Sequence, residues 1–407
     1  MIRRYALSVL SALFFASLLN SADTPPGPAV ALVGGTVYTS PGATPVADAV
    51  VLISSGTITT VGKRSQVKIP KDAQVIDCSG KTIVAGFWNS HAHFIEADWN
   101  NAGSAPAAAL EKHMQEMLTR WGFTTVWDLG SEPGNSLALR QRVESGEVPG
   151  PKMLLAGDIF PKNGHPVYLP PEMQLPEAAT PEEAAEMARN DLKMGMDGMK
   201  LFTGAFMGNK PVVNMDTSIV KAAVDVAHGQ GKRVFAHPQN KVGLDNAIEG
   251  GVDILAHTIP STDFQYTSEE LARFKAQHTA LIPTLTLWTT IVNDPAVTAR
   301  IVNAGAEQLK AFSSNGGTVL LGTDVGFINI YDTSQEFVFM NRALPAGEIL
   351  ASLTTNPAAY FKAEKKGRVE KGCEADLVVL DGDPMVDVRN LAKVAYTIRG
   401  GRVIFQK

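Results

Sequence analysis

His91 and His93 flank Ala92 at the end of an apolar run. In an extended chain, residues two apart point to the same side, so both imidazoles face one point. Alone, a His-x-His pair is a weak signal. Its company strengthens it. His237 closes Arg233-Val234-Phe235-Ala236, and His257 closes Val252-Asp253-Ile254-Leu255-Ala256. Asp324 follows Leu320-Leu321-Gly322-Thr323, and Lys200 sits within Gly198-Met199-Lys200-Leu201-Phe202. A buried, unpaired histidine, aspartate or lysine is costly. Any one of these six taken alone reads better as a hydrogen-bonded strand-end residue. Six together, each at or near the end of an apolar strand, are best satisfied by metal.

The remaining histidines read differently. His228 and His278 lie near expected helix ends, where an imidazole can bond the last carbonyls. His113 falls within a helical segment. All three are assigned structural roles.

The chain around these residues changes style twice. From Val30 to about Ile83, β-branched runs alternate with Gly34-Gly35 and Ser54-Ser55-Gly56, the pattern of antiparallel hairpins. From about Val84 to Thr355, short apolar runs alternate with helical stretches. The runs are Thr124–Trp127, Met153–Ala156, Gly198–Phe202, Val234–Ala236, Val252–Ala256, Leu281–Leu285 and Thr318–Leu321. With the run ending at His91 they make eight. Thr180-Pro181-Glu182-Glu183 and Thr267-Ser268-Glu269-Glu270 offer capping-box helix starts. Eight strand–helix units in this span predict an α/β fold, a (β/α)8 TIM barrel. After Asn356-Pro357 the hairpin style returns, with Ala375–Leu380, Val394–Ile398 and Val403-Ile404-Phe405 as strands. The expected organisation is a barrel over 84–355 and one small β-sandwich domain built from 29–83 and 356–407. Long loops at 159–179, 204–216 and 325–337 fall on the barrel's C-terminal face, where chemistry sits.

Composition sets the outer limits. The 407 residues are 45% hydrophobic and 19% charged, which excludes disorder for the bulk of the chain. A net charge of −5 without a basic block argues against nucleic acid as a partner. Two cysteines build neither a disulfide framework nor a four-cysteine zinc site. Cys78 and Cys373 both fall in the expected β domain, away from the barrel mouth. Arg3-Arg4, the apolar run Tyr5–Leu19 and the small residues up to Ala22 have the order of a secretory signal. Residues 1–22 are therefore expected to be a removable leader. The protein is expected to be exported, periplasmic or secreted, with no membrane anchor after cleavage.

At the six polar residues the sequence resembles the amidohydrolase superfamily of metal-dependent hydrolases. The shared order is His-x-His, Lys, His, His, Asp on strands one, four, five, six and eight. Gly122-Phe123-Thr124-Thr125-Val126-Trp127-Asp128 resembles the family's second-strand motif, and Glu374-Ala375-Asp376-Leu377-Val378-Val379-Leu380-Asp381 its closing β-domain motif. Pro149-Gly150-Pro151-Lys152 and Asn163-Gly164-His165 are similar to the prolidase-like and imidazolonepropionase-like branch. Ala85 replaces a usual proline and Asn89 a frequent aspartate; neither is a metal ligand.

The resemblance implies a binuclear centre of two divalent ions, zinc first, with manganese, iron and cobalt left open. His91, His93 and Asp324 would hold the buried ion, and His237 and His257 the exposed one. Lys200, carboxylated by carbon dioxide to N6-carboxylysine, would bridge them. A shared hydroxide would attack an amide carbonyl, with Asp324 as general base and then acid. His165, on the long loop after strand three, is a candidate to bind the carbonyl oxygen or a substrate carboxylate, with packing of its own loop as the alternative. The expected substrate is a small molecule cleaved at a C–N amide bond: an Xaa-Pro-type dipeptide, an N-acyl amino acid or a cyclic amide. A homo-oligomer is left open.

Two alternatives stand beside this. A mononuclear deaminase or imidazolonepropionase-type ring opener does not need the bridging lysine. Deaminases, however, commonly place a glutamate soon after the strand-five histidine, and here Pro238-Gln239-Asn240 follows. The other alternative is a metal-bearing binding protein without turnover, which would have no need of Asp324 as a base. Phe94, Trp99, Phe206, Phe327 and Tyr331 lie on barrel-face loops as candidates for an apolar pocket.

Overall fold

The computed structural model describes residues 29–407; the leader expected at 1–22 lies outside them. Among the described residues, no helix is long and apolar enough to cross a membrane.

Eight parallel strands follow one another in chain order: Phe87–Ala92, Phe123–Asp128, Lys152–Pro161, Gly198–Leu201, Arg233–Ala236, Ile254–Ala256, Ala280–Ile282 and Thr318–Val319. The segment after the eighth returns to the first. Ser90 N donates to Leu321 O at 2.7 Å, Asp324 N to His91 O at 2.8 Å, and His93 N to Val325 O at 2.8 Å. These bonds place Asp324 beside the histidine pair although 231 residues separate it from His93.

Period-two alternation decides what each strand sends inward. Trp127, Ala156, Phe235, Ile254, Ile282 and Leu320 pack together inside the ring. Their neighbours Val126, Leu155, Val234, Leu255 and Leu281 join the larger core beneath the helices. Between strands run amphipathic helices such as Pro181–Met194, Thr217–Gly229 and Pro295–Ser314. The Thr267 capping box forms in full: Thr267 N donates to Glu270 Oε2 at 2.6 Å and Glu270 N to Thr267 Oγ1 at 3.2 Å. The Thr180 one forms by half. Thr180 Oγ1 accepts from Glu183 N at 3.3 Å, but the Glu183 carboxylate turns to Ala179 N.

The two chain ends make one eight-stranded mixed sheet. Its order is Arg402–Gln406, Val394–Arg399, Leu377–Leu380, Thr82–Ala85, Val30–Val37, Val46–Ser54 and Thr57–Lys63, with Gln74–Asp77 also on Val30–Val37. The ends meet where Leu377–Leu380 runs antiparallel to Thr82–Ala85. One face holds a core that includes Leu32, Val51, Ile83, Leu377 and both cysteines; the other packs Ala31, Val33, Val50 and Leu52. Cys78 and Cys373 are free and buried. Lys366 is buried between Asp376, its closest partner, and Glu374 at 2.6 Å.

Candidate active site

His91 Nε2, His93 Nε2 and Asp324 Oδ1 form a nearly equilateral triangle. The edges are 3.2 Å between the imidazoles and 3.1 and 3.0 Å from each to the carboxylate. Lys200 Nζ stands 3.5 Å from His91 Nε2, and His257 Nε2 3.7 Å from Asp324 Oδ2. The His237 and His257 rings lie 5.0 Å apart, edge to face. All six residues expected from the sequence therefore meet at one end of the ring, and all six are buried.

Their orientation is fixed from behind. His93 Nδ1 donates to Gly130 O at 3.0 Å, leaving Nε2 as the free lone pair. His257 Nδ1 is held by Thr284 Oγ1, and His237 Nε2 faces Gln239 Oε1 at 3.2 Å. Thr284 adopts a left-handed φ of 43° to present that hydroxyl, and Asp324 adopts φ 60°. Such conformations are sparsely populated and cluster at functional sites. Gly326, at φ 95°, lets the same loop pass over the His93 carbonyl, where any Cβ would collide.

Burial sets the protonation states. It holds His91 down to about 3 and His237 down to about 4, so both are neutral at pH 7. His257 lies well below its ordinary value for the same reason. Burial also pulls on His93, but the Asp324 carboxylate beside it prevails and raises it. Burial would raise Asp324, yet His91 and His93 hold it well below the usual carboxylate range. Lys200 is pushed down by burial to about 8, with Asp324 opposing.

Four neutral or acceptor nitrogens around an ionised carboxylate, with a readily deprotonated lysine, suit a cation. The triangle supports this. Asp324 Oδ1 is buried and has no aligned hydrogen-bond donor, although two ring nitrogens stand within 3.1 Å. Ligands at roughly 2.0–2.1 Å from a tetrahedral ion lie about 3.3 Å apart. The three ligating atoms are thus spaced for one small divalent ion.

Above the triangle opens a cavity of about 420 Å³. Phe206 and Phe327 line it, as expected. Phe94 and Trp99 instead pack on each other at 5.0 Å, and Tyr331 bonds Glu96 at 2.8 Å. His165 is not brought to the cavity. Its ring nitrogens lie 3.2 Å from Pro166 O and from Met173 O, so it braces its own loop, which sends Tyr168, Leu169, Met173 and Leu175 to the wall. His113 pairs with Glu96 at 2.7 Å. His228 pairs with Asp253 at 2.8 Å rather than with helix-end carbonyls.

One charged wall residue escaped the sequence reading. Asp158 pairs in register with Lys200 on the adjacent strand and lines the cavity. Burial, then repulsion from Asp191, raises it to about 7. Its signal was available: two residues beyond inward-facing Ala156, it must face inward too.

Comparison with known proteins agrees with this architecture. The profile of the amidohydrolase family matches residues 82–404. An imidazolonepropionase of Porphyromonas gingivalis is 23% identical over 412 residues, 88% of this chain and 89% of that protein. An ochratoxinase of Aspergillus niger is 23% identical over 413 residues, covering 88% and 83%. Four other curated relatives are matched over only 29% to 30% of their own length. Among solved structures, a putative prolidase from Bifidobacterium longum superposes with a TM-score of 0.78 at 24% identity, covering 94% of this chain and 96% of that one.

Proposed function

The chain belongs to the amidohydrolase family, and from that premise we propose that it is a binuclear metal-dependent hydrolase of a C–N amide bond in a small molecule. The observation carrying this is the triangle of His91, His93 and Asp324 with Lys200 Nζ 3.5 Å away.

His91, His93 and Asp324 would hold one divalent ion, His237 and His257 a second, and Lys200 would join them after carboxylation. Bound there, divalent ions, zinc first, would supply Lewis acidity for the scissile carbonyl and for the attacking water. Lys200 suits carboxylation because its neutral amine, the form that attacks carbon dioxide, is accessible near pH 8. The N–C bond would form as the neutral amine adds to carbon dioxide and loses one proton, leaving an anionic carbamate in place of a cationic side chain. Asp324 takes a proton from the attacking water and returns it to the leaving nitrogen as the C–N bond breaks. Gly130 and Thr284 keep His93 and His257 in the right tautomer and orientation.

The same reading takes the parallel ring as a (β/α)8 barrel over 84–355. The sheet from 29–83 and 356–407 is read as a small β-sandwich domain. Residues 1–22 are read as an export leader, which N-terminal sequencing from the native host checks.

One observation favours a mononuclear variant. Among the described residues, only His91, His93 and Asp324 already lie at ligand spacing, while His237 Nε2 is turned to Gln239. Metal analysis beside an amidase assay decides between the two. Two ions per active chain support the binuclear reading, one ion with full activity supports the other, and activity without metal overturns both.

A further inference from the structure

The hydrolysis proposed above leaves the substrate class open, and the chemistry of the cavity wall narrows it; this inference rests on that reading. Among the described residues, and apart from the six of the metal constellation, the wall carries one carboxylic acid, Asp158. Among the described residues, no arginine lines the cavity, and no lysine besides Lys200. The uncharged polar groups are few. Gln239 directs its carbonyl to His237 and leaves its amide N–H free, and Tyr168 contributes a phenol.

The rest is hydrocarbon and aromatic. Phe160 and Phe202 stack at 3.9 Å between ring centroids beside the metal ligands, and Leu287 and Trp288 line the cavity with them. The mouth continues in kind. Ile95, Met173, Phe206 and Ile291 line the cavity and are nonetheless 41%, 40%, 39% and 48% exposed. Exposed apolar side chains scattered singly need no explanation, but four that line one cavity mark a binding surface. A second carboxylate on a substrate, away from the scissile bond, would be desolvated there without a cation. The one unengaged charged group it could meet, Asp158, would repel it when ionised.

We propose that the substrate is a carboxylate-free apolar amide, of the anilide or alkyl-amide class, rather than a C-terminal dipeptide or an N-acyl amino acid. Water adds to the amide carbonyl carbon and the C–N bond breaks. The water's proton leaves on the nitrogen, giving a carboxylic acid and an amine. The apolar part of the substrate occupies the Phe160–Phe202 end.

The test uses two chromogenic amides that differ in one group, butyryl-4-nitroanilide and succinyl-mono-4-nitroanilide, in which a carboxylate replaces a methyl. Hydrolysis is followed with the metal-loaded protein. Binding is followed with both the loaded and the metal-free protein through quenching of cavity tryptophan fluorescence. A group misplaced in a pocket of this kind changes affinity by at least about tenfold. The neutral amide should therefore lead by that factor in kcat/KM and in binding. Ile291→Arg, which puts a cation on an exposed position of the rim, should shift the ratio towards the anionic amide at least tenfold. Equal or reversed preference overturns the inference while leaving the hydrolase reading intact, and so does failure of both amides to bind. A tenfold binding preference without hydrolysis upholds the apolar-site inference and overturns the hydrolase reading instead.

Discussion

Lys200 Nζ lies 3.5 Å from His91 Nε2, with both side chains fully enclosed and 109 residues between them. A protonated amine there faces ring nitrogens and would repel the cations that those nitrogens and Asp324 attract. A carboxylated one would supply two bridging oxygens.

Lys200→Ala should therefore lose metal and turnover together. Metal content should fall from two ions to one or fewer, and kcat by at least about a hundredfold, the scale on which a metal site responds to damage even beyond its direct ligands. Acetate should partly restore both by entering the vacated space. Metal-to-protein ratio and kcat, with and without acetate, are the measurements. Two retained ions with near-normal turnover would make the mononuclear reading the better account.

Stability in the sheet from the chain ends should be separable from the metal site. Lys366 is enclosed by Asp376 and Glu374, and Asp376 also accepts from Gly400 N at 2.8 Å. Removing one partner of a buried pair leaves the other charge uncompensated, which costs about 3–5 kcal/mol. Lys366→Ala should lower unfolding free energy by that order in denaturant titration. The metal content of the folded fraction should stay unchanged. A loss under about 1 kcal/mol would mean that solvent reaches Asp376.

Most of this molecule is legible in its sequence, and the parts that are not share a cause. The six converging residues could be read because each lies at or near the end of an apolar strand, whose period of two fixes the side it faces before any fold is known. Asp158 obeyed the same rule but was hidden. The run Met153–Ala156 was cut at Gly157, whereas the strand continues to Pro161, because Gly157 packs closely on Asp191. His165 stays ambiguous in the sequence for the opposite reason. Its loop has no period, so nothing in the spacing tells that its ring braces Pro166 and Met173 while its neighbours line the cavity. In the β domain built from both chain ends, hairpin punctuation marks the strands but does not set their neighbours, such as Leu377–Leu380 antiparallel to Thr82–Ala85.

The buried histidines make the metal-free protein acid-sensitive. His91 and His237 are depressed to about 3 and about 4 in the folded chain, against an unfolded value near 6.5. Between those limits the unfolded chain binds protons that the folded chain refuses, so stability is present above about pH 6.5 and is lost as pH falls. His257 acts in the same sense, and His93, which is raised, partly opposes. Each depressed histidine removes on the order of 2 kcal/mol by pH 5. Denaturant midpoints of the metal-free protein at pH 7, 6 and 5 should fall steadily. A flat profile would mean that these rings take protons within the fold.

Holding a cation and moving a proton are separable tasks at Asp324. Asp324 reaches both tasks because its left-handed backbone sets Oδ1 at 3.1 and 3.0 Å from two imidazoles and Oδ2 at 3.7 Å from a third. Asp324→Asn keeps an oxygen of the same shape at that corner but removes the charge and nearly all basicity. Metal content should therefore fall less than turnover. Occupancy should remain above half at saturating zinc, while kcat drops by a factor on the order of 10²–10⁴, the usual contribution of a positioned general base. Asp324→Ala, which removes the oxygen too, should lose metal as well. The pH–rate profile supplies a readout that mere loss of structure would not change. The acidic limb expected of the wild type should be absent from the residual activity of the Asn variant, since no carboxylate remains there to protonate. If Asp324→Asn loses metal and activity in equal proportion and keeps the limb, Asp324 is a ligand only, and the proton must pass through another group.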